Sequence, residues 1–499
     1  MKAFIARLFA AWVHTKNQKW IQNPIKAQEK TFHQLIEKAK NTRFGEDHNF
    51  SQIKTIENFK QQVPIFDYEA IKHYIEQVKK GVKDVLWPGL PLYFAKTSGT
   101  TSGIKYIPIT KDSMPTHIQA ARDALLNYIY QTKKAAFVNG KQIFLQGSPV
   151  LKKENGIAIG RLSGIVAHYV PSYLQSNRLP SWETNCIDDW ETKVKAIISE
   201  TQDKKMTLIA GIPSWVQMYF EQLIKQTKKP VGDHFSDFSL FVYGGVNYEP
   251  YRPVFEKLIG RAVDSVELFP ASEGFFAYQD QPSKPDLLLL LNNGIFYEFI
   301  EASEFHDDVP KSYTLATVKR DVNYVMLIST TAGLWRYNLG DTIMFTTLAP
   351  FRLRVTGRLT HFISAFGEHV IGSEVEQSIQ EVLNRNKENV RVTEFTVAPQ
   401  ISPSEGLPYH EWFIEFETPP TDLISFAASV DEVMQEKNIY YKDLIIGKVL
   451  RTLVIRPISK DGFRKYMKTL GKLGGQNKVP RVSNDRKMAT ALAQYFQHS

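Results

Sequence analysis

Thr97-Ser98-Gly99-Thr100-Thr101-Ser102-Gly103 places five hydroxyl residues and two glycines in seven positions. Side chains this small cannot fill a core, but they leave backbone N–H groups and short O–H donors free to wrap a polyanion. The chemistry such a stretch can do is to hold phosphate. It is not a Walker loop, because Ile104 stands five residues after Gly99 and Lys105 is followed by Tyr106. Apolar Leu92-Tyr93-Phe94 and Tyr106-Ile107-Pro108-Ile109 flank it, so the phosphate would rest on a hairpin tip and not on a helix N-terminus. A solvated Ser/Thr/Gly turn has the same composition.

Three further segments carry groups that suit a nucleotide. Ser272-Glu273 follows a strand read over Val263 to Leu268, where a carboxylate can share Mg²⁺ with substrate phosphates; the same pair also caps ordinary turns. In Trp335-Arg336-Tyr337-Asn338-Leu339-Gly340-Asp341, the carboxylate of Asp341 can accept both hydroxyls of a ribose, or simply follow a structural glycine. Lys478, in Gly474-Gly475-Gln476-Asn477-Lys478, is a compact cation able to stabilise developing negative charge, or merely to face water. His117, His168 and His361 lack metal-ligand spacing. Cys186 has no cationic neighbour to make it a thiolate.

The elements that must position these groups begin with a run of helices over residues 1 to 90. There Asp67 caps a helix whose Ile71, Tyr74, Ile75 and Val78 share one face, and Gly81 stops it. An N-terminal segment with Phe4, Ile5, Leu8 and Trp12 reads as an amphipathic helix packed on the body, interrupted by Arg7. Lys111 to Gln131 is helical, and strands then alternate with helices: Lys141 to Leu145, Asp188 to Glu200, Met206 to Ala210, Trp215 to Lys225 behind Pro213, Phe238 to Tyr243, and Tyr251 to Leu258 after Gly244-Gly245. From 286 to 356 short strands dominate, with Asp286 to Leu291 and Ile295 to Ile300 read as a hairpin about Asn292-Asn293-Gly294, and Val325 to Ser329, Leu334 to Tyr337 and Thr342 to Thr346 as further short strands. Beyond Arg358 come helix Glu374 to Leu383, strands Val392 to Val397 and Glu411 to Phe416, helix Asp422 to Gln435, strand Val449 to Ile455 and helix Asp461 to Thr469. The expected fold class is α/β: a large N-terminal domain of mixed sheets with a β-barrel-like subregion (1–358), and a small α+β C-terminal domain (359–499) joined by a hinge.

At 499 residues with 43% hydrophobic and 23% charged, the composition is that of a globular protein with a large core. The net charge of +9 suits anionic substrates as well as nucleic acid. A single cysteine excludes an internal disulfide and fits a reducing compartment. The longest apolar run, Leu287 to Leu291, is far short of a membrane span. The expectation is a cytoplasmic protein, without membrane or nucleic-acid partner, and a monomer.

The order of these segments, with Gly357-Arg358 opening the junction that runs to Glu376, resembles the adenylate-forming superfamily. Thr97-Ser98-Gly99-Thr100, Tyr297-Glu298-Phe299-Ile300, Tyr337 to Asp341 and the run Gly474 to Arg481 are most similar to the auxin-responsive Gretchen Hagen family of acyl-acid amido synthetases. The resemblance covers about Phe32 to Arg486 and implies an ATP-dependent ligase. A small carboxylic acid is adenylated, and its acyl group passes to an amino acid as an amide. It further implies that Ser98, Gly99, Thr100 and Thr101 hold phosphates, with Ser272 beside them, and that Glu273 supports Mg²⁺. Asp341 would hold the ribose, Arg358 would approach the nucleotide, and Lys478 would act at the acyl-phosphate as the small domain turns about Thr360 to Ser364. Arg122, Val246 and Tyr248 would border the acyl acid. This chain departs from the family at Ile104, where proline is usual, at Gly274, where plant members often carry cysteine, and at Thr360-His361 in the hinge. Two other readings stand beside it. One is a thioester-forming acyl-CoA ligase sharing the first step. The other is a nucleic-acid-binding protein using the cluster from Arg456 to Lys487, with Phe463 and Tyr466 interleaved.

Overall fold

The computed structural model describes residues 2–100, 103–170, 175–245, 248, 251–305, 307, 309–358, 362–368, 370–385, 389–470 and 479–496. Apart from Ser98–Ile104 and Asp188–Thr192, which group with the second, the chain divides after Leu359 into two compact units. Among the described residues, no helix is long and apolar enough to cross a membrane.

The larger unit opens with helices Lys2–Ile21, Pro24–Ala39, Arg43–Asp47, Ile56–Gln62 and Tyr68–Lys79. The last forms as its periodicity requires: Asp67 accepts a hydrogen bond from the Ala70 N–H at 2.8 Å, and Tyr68, Ile71, Tyr74, Ile75 and Val78 are buried. Behind these helices lies a 12-stranded sheet. Five of its strands, Arg178–Leu179, Lys141–Phe144, Met206–Ala210, Leu240–Gly244 and Asp264–Ala271, are parallel neighbours in that order. Met206 to Ile209 are all buried, as strands covered on both faces must be.

The other seven strands are antiparallel and continue in the order Gly274–Gln279, Leu287–Leu289, Phe351–Arg358, Tyr337–Leu348, Asn323–Thr330, Ile295–Glu301 and Ser312–Tyr313. Leu287–Leu289 and Ile295–Glu301 are thus not hairpin partners, contrary to the expectation from Asn292-Asn293-Gly294; three strands separate them. Gly294 turns the chain at φ +74°, and the Asn293 amide donates to the Phe275 carbonyl, tying the crossing segment to the start of strand Gly274–Gln279. A Cβ on Gly274 would stand 2.6 Å from Ile295 Cδ1. The sheet therefore curls until Gly274–Gln279 meets the start of Ile295–Glu301, which accounts for the barrel-like character of this region.

In the smaller unit, strands Arg391–Gln400, Tyr409–Thr418 and Val454–Ile458 form a sheet with helices Gly372–Arg385, Leu423–Lys437, Ile439–Ile446 and Gly462–Thr469. Asp422 caps its helix through the Ile424 and Ser425 N–H groups. The third strand lies later than the Val449 to Ile455 expected. The N–H groups of Val449 and Leu450 are spent on the Leu444 carbonyl at the preceding helix end, so those apolar residues are buried as coil.

Candidate functional site

The hydroxyl-rich stretch sits between strands Tyr93–Thr100 and Gly103–Ile109, neighbours in a separate four-stranded sheet. Ser98, Gly99 and Thr100 close the first strand; Thr101 lies outside the described residues. The base of this pair is anchored by buried Phe94, Ala95, Ile107 and Ile109, and by the Leu92 N–H donating to the Ile109 carbonyl at 2.8 Å. The Tyr68 hydroxyl accepts from the Tyr106 N–H at 2.8 Å, and burial pushes that phenol's pKa well up, so it stays neutral. Lys79 lies 3.9 Å from the Tyr106 ring centroid. The helix capped by Asp67 thereby holds the strand that leaves the loop.

Ser272 and Glu273 are the two residues of a tight turn joining Asp264–Ala271 to Gly274–Gln279, with Ala271 and Gly274 paired across it. Both are half-buried. A Cβ on Gly274 would press on the Ile295 side-chain tip, so the turn lies close to the strand carrying Tyr297 and Glu298.

Asp341 is 6% exposed and faces Arg358 directly in register, so two of the expected nucleotide residues share one rung of adjacent strands. Two short strands were expected on either side of Gly340-Asp341. Leu334 to Arg336 lie outside any strand, and one strand, Tyr337–Leu348, takes up Tyr337 and Thr342 to Thr346 together, with Gly340 at φ +82° in the bulge between them. The Gly340 N–H donates to the Asn338 side chain at 2.8 Å. The entry to this strand is pinned from outside the sheet: Phe66 donates its N–H to the Arg336 carbonyl, and its own carbonyl accepts the Asn338 N–H at 2.7 Å.

Beneath it lies a buried ion pair that spacing alone did not reveal. Arg336 Nε donates to Glu298 Oε2 at 3.0 Å, with Glu298 1% exposed. Arg336 Nη1 donates to the Lys60 and Val63 carbonyls, Nη2 donates to Ser312 Oγ, and Ser312 donates to Glu298 Oε1 at 2.8 Å. An acid at the centre of the apolar run Tyr297-Glu298-Phe299-Ile300 was the available signal.

The remaining candidates have other surroundings. Arg122 donates Nε and Nη2 to Asp123 Oδ1 at 3.0 and 2.8 Å and lies over the Phe9 ring. Tyr248 is buried in an aromatic cluster with Phe241, Tyr243 and Phe255. Gly244 before it is obligatory, since a Cβ would stand 2.4 Å from the Leu268 carbonyl oxygen. Val246 and Lys478 lie outside the described residues, as does His361; the side chain of Arg358 has no description beyond its strand. His117 is buried, its pKa pulled down to about 4 by desolvation, and His168 bonds the Pro149 carbonyl, both structural positions. Among the described residues, no group of three or more His, Cys, Asp or Glu could hold a metal unaided.

Three models of one family match the chain in order: the GH3 family N-terminal domain over residues 14–195, the central domain over 288–358 and the C-terminal domain over 373–487. Jasmonoyl–L-amino acid synthetase JAR4 of Nicotiana attenuata is 20% identical over 384 residues, covering 64% of this chain and 66% of that protein. Indole-3-acetic acid-amido synthetase GH3.3 of Arabidopsis thaliana is 24% identical over 244 residues, covering 46% and 41%. The chain thus spans just under two thirds of the first relative and about two fifths of the second. The structure of AtGH3.15 acyl acid amido synthetase in complex with 2,4-DB is similar across 98% of this chain and 96% of that one, with a TM-score of 0.63 at 15% identity, which is a likeness of fold.

Proposed function

Because the chain belongs to the GH3 family, we propose that it activates a small carboxylic acid with ATP and joins the acyl group to an amino acid as an amide. The observation that carries this reading is the match to all three GH3 domains in sequence order. The rung shared by Asp341 and Arg358 supports it, as does the carboxylate on the two-residue turn at Glu273.

A carboxylate is a poor acyl donor because oxide is a poor leaving group. In the first half-reaction a carboxylate oxygen of the acid attacks the α-phosphorus of ATP, the bond to the β-phosphate bridging oxygen breaks, and pyrophosphate departs. In the second, an amine nitrogen attacks the acyl carbon, AMP leaves with the electron pair of the C–O bond, and the amine gives up a proton. Asp341, ionised, accepts hydrogen bonds from the ribose diol, and Arg358 on the neighbouring strand meets the nucleotide's negative charge. Ser98, Gly99, Thr100 and Thr101 donate to the phosphates, with Ser272 as a further hydroxyl. Glu273, a half-buried carboxylate, would hold Mg²⁺, which would supply charge neutralisation at the triphosphate. Lys478 supplies positive charge to the acyl-phosphate as it forms. Val246 and Tyr248 border the acid, with the aromatic cluster around Tyr248 giving that side an apolar wall.

Pyrophosphate exchange with purified protein across a library of small acids tests adenylation, and substituting coenzyme A for amino acids tests the acceptor. The expected result is acid-dependent exchange followed by amide. Exchange followed by thioester alone transfers the chain to the acyl-CoA ligase reading. Salt-dependent nucleic-acid binding without exchange in any acid overturns the proposal altogether.

A further inference from the structure

The N-terminal helix Lys2–Ile21 carries apolar residues on two opposite faces. One face, with Ala10, Val13, Asn17 and Trp20, is buried against the larger unit. The stripe singled out in the sequence is the other one, and it points away from the body: Phe4 is 64% exposed, Ile5 58%, Leu8 59% and Trp12 58%, with Phe9 beside them. A helix apolar all round is ordinarily covered all round, and this one has a row of large side chains left in water.

The charges around the stripe identify its cover. The helix contains Lys2, Arg7, Lys16 and Lys19 and no acidic residue. Lys16 lies 5.6 Å from the Trp12 ring centroid, and Arg122 lies 5.7 Å from that of Phe9. Asp123, the nearest acid on the adjoining helix, is buried and bound to Arg122. Packing the stripe against a second copy in antiparallel fashion would set Lys2 and Arg7 of one helix beside Lys16 and Lys19 of the other, with no acid on either helix to compensate. An anionic lipid surface meets both requirements, since acyl chains accept Phe4, Leu8 and Trp12 while headgroups accept the flanking cations.

We propose that the outward face of helix Lys2–Ile21 is a peripheral docking surface for anionic membrane. The helix lies on the bilayer and does not span it, and acid activation then takes place at a lipid surface, where apolar carboxylic acids partition. The docking goes beyond the amido synthetase reading and does not depend on it; only its consequence, acid activation beside the bilayer, rests on that reading.

The test is flotation of the full chain with vesicles of phosphatidylcholine alone or of phosphatidylcholine mixed with phosphatidylglycerol. Binding is expected to the mixed vesicles at low salt, weakening as salt rises, and far less to phosphatidylcholine alone. Leu8→Ser with Trp12→Ser should lower vesicle partitioning about tenfold or more, without moving the melting temperature, because both side chains are already in water. Lys16→Gln with Lys19→Gln should weaken binding to the anionic vesicles about tenfold and leave the neutral ones unchanged. Failure to float with either vesicle at low ionic strength overturns the proposal. So does a dimer, seen by light scattering, that Leu8→Ser with Trp12→Ser dissociates, since the stripe would then belong to a second copy of the chain.

Discussion

Two acid–arginine pairings stand close together in the curled sheet, and they are made in different ways. Glu298 and Arg336 are closed on each other: the guanidinium is spent on Glu298, Ser312 and two backbone carbonyls, and both side chains are buried. Asp341 and Arg358 are opposed by strand register, at a bulge made by Gly340, near the end of the strand Phe351–Arg358. The first arrangement can only hold strands in place; the second sets a buried carboxylate where Gly340 makes the ladder irregular. Two of the stretches that carry the family resemblance, Tyr297 to Ile300 and Tyr337 to Asp341, therefore contain staples as well as candidate binding groups. A third buried acid, Glu368 in the smaller unit, is of the staple kind, accepting from the Phe366 N–H and bonded to His410 at 2.9 Å.

This contrast can be broken experimentally. Glu298→Ala strands Arg336 without its counter-charge and is expected to destabilise the larger unit by about 3–5 kcal/mol in thermal or chemical unfolding. Glu298→Leu combined with Arg336→Met should recover most of that loss; a single variant as stable as the parent would end the staple reading. On the binding side, Lys478→Ala should slow pyrophosphate exchange about a hundredfold, roughly 3 kcal/mol of transition-state stabilisation, with ATP affinity nearly intact. Asp341→Ala should weaken ATP by about 2 kcal/mol, read as a rise of about thirtyfold in the KM for ATP, with little change in melting temperature. If Asp341→Ala instead melted early and bound ATP normally, the two pairings would have to be exchanged in role. The smallest effect is expected at the loop's base, where Tyr68→Phe removes the acceptor of the Tyr106 N–H and should cost about 1 kcal/mol in unfolding experiments.

Local rules were legible wherever a few neighbouring residues settle the outcome. Asp67 and Asp422 cap the helices they precede, Pro213 opens a helix in its first turn, and the buried run Met206 to Ala210 forms an interior strand. The misread segments are those where distant contacts intervene. Asn292-Asn293-Gly294 has hairpin composition, yet the Asn293 amide finds the Phe275 carbonyl and Gly294 packs on Thr331, so the strands on either side part company. Gly340-Asp341 reads as a break between strands, whereas pairing with Asn323–Thr330 resumes at Thr342 after a register shift and pairing with Phe351–Arg358 begins at Asp341, so one strand continues. In the N-terminal helix the apolar stripe was visible, but its orientation was not, because Ala10, Val13 and Asn17 offered a second and smaller face that fits closer to the body.

Residue chemistry and short-range spacing alone determined an α/β chain, and motif order carried the resemblance to the adenylate-forming superfamily that named the hydroxyl loop, Ser272-Glu273, Asp341 and Lys478 as the residues to follow. Those are properties of residue chemistry within a few positions, which a linear string records completely. Only the tertiary structure decided that Asp341 shares a rung with Arg358, that Glu298 is locked to Arg336 across 38 residues, and that Phe4, Leu8 and Trp12 face outward. Each of these depends on register and on which of two competing surfaces is buried. Such choices are made by the summed packing of segments far apart in the chain, and no local pattern contains them.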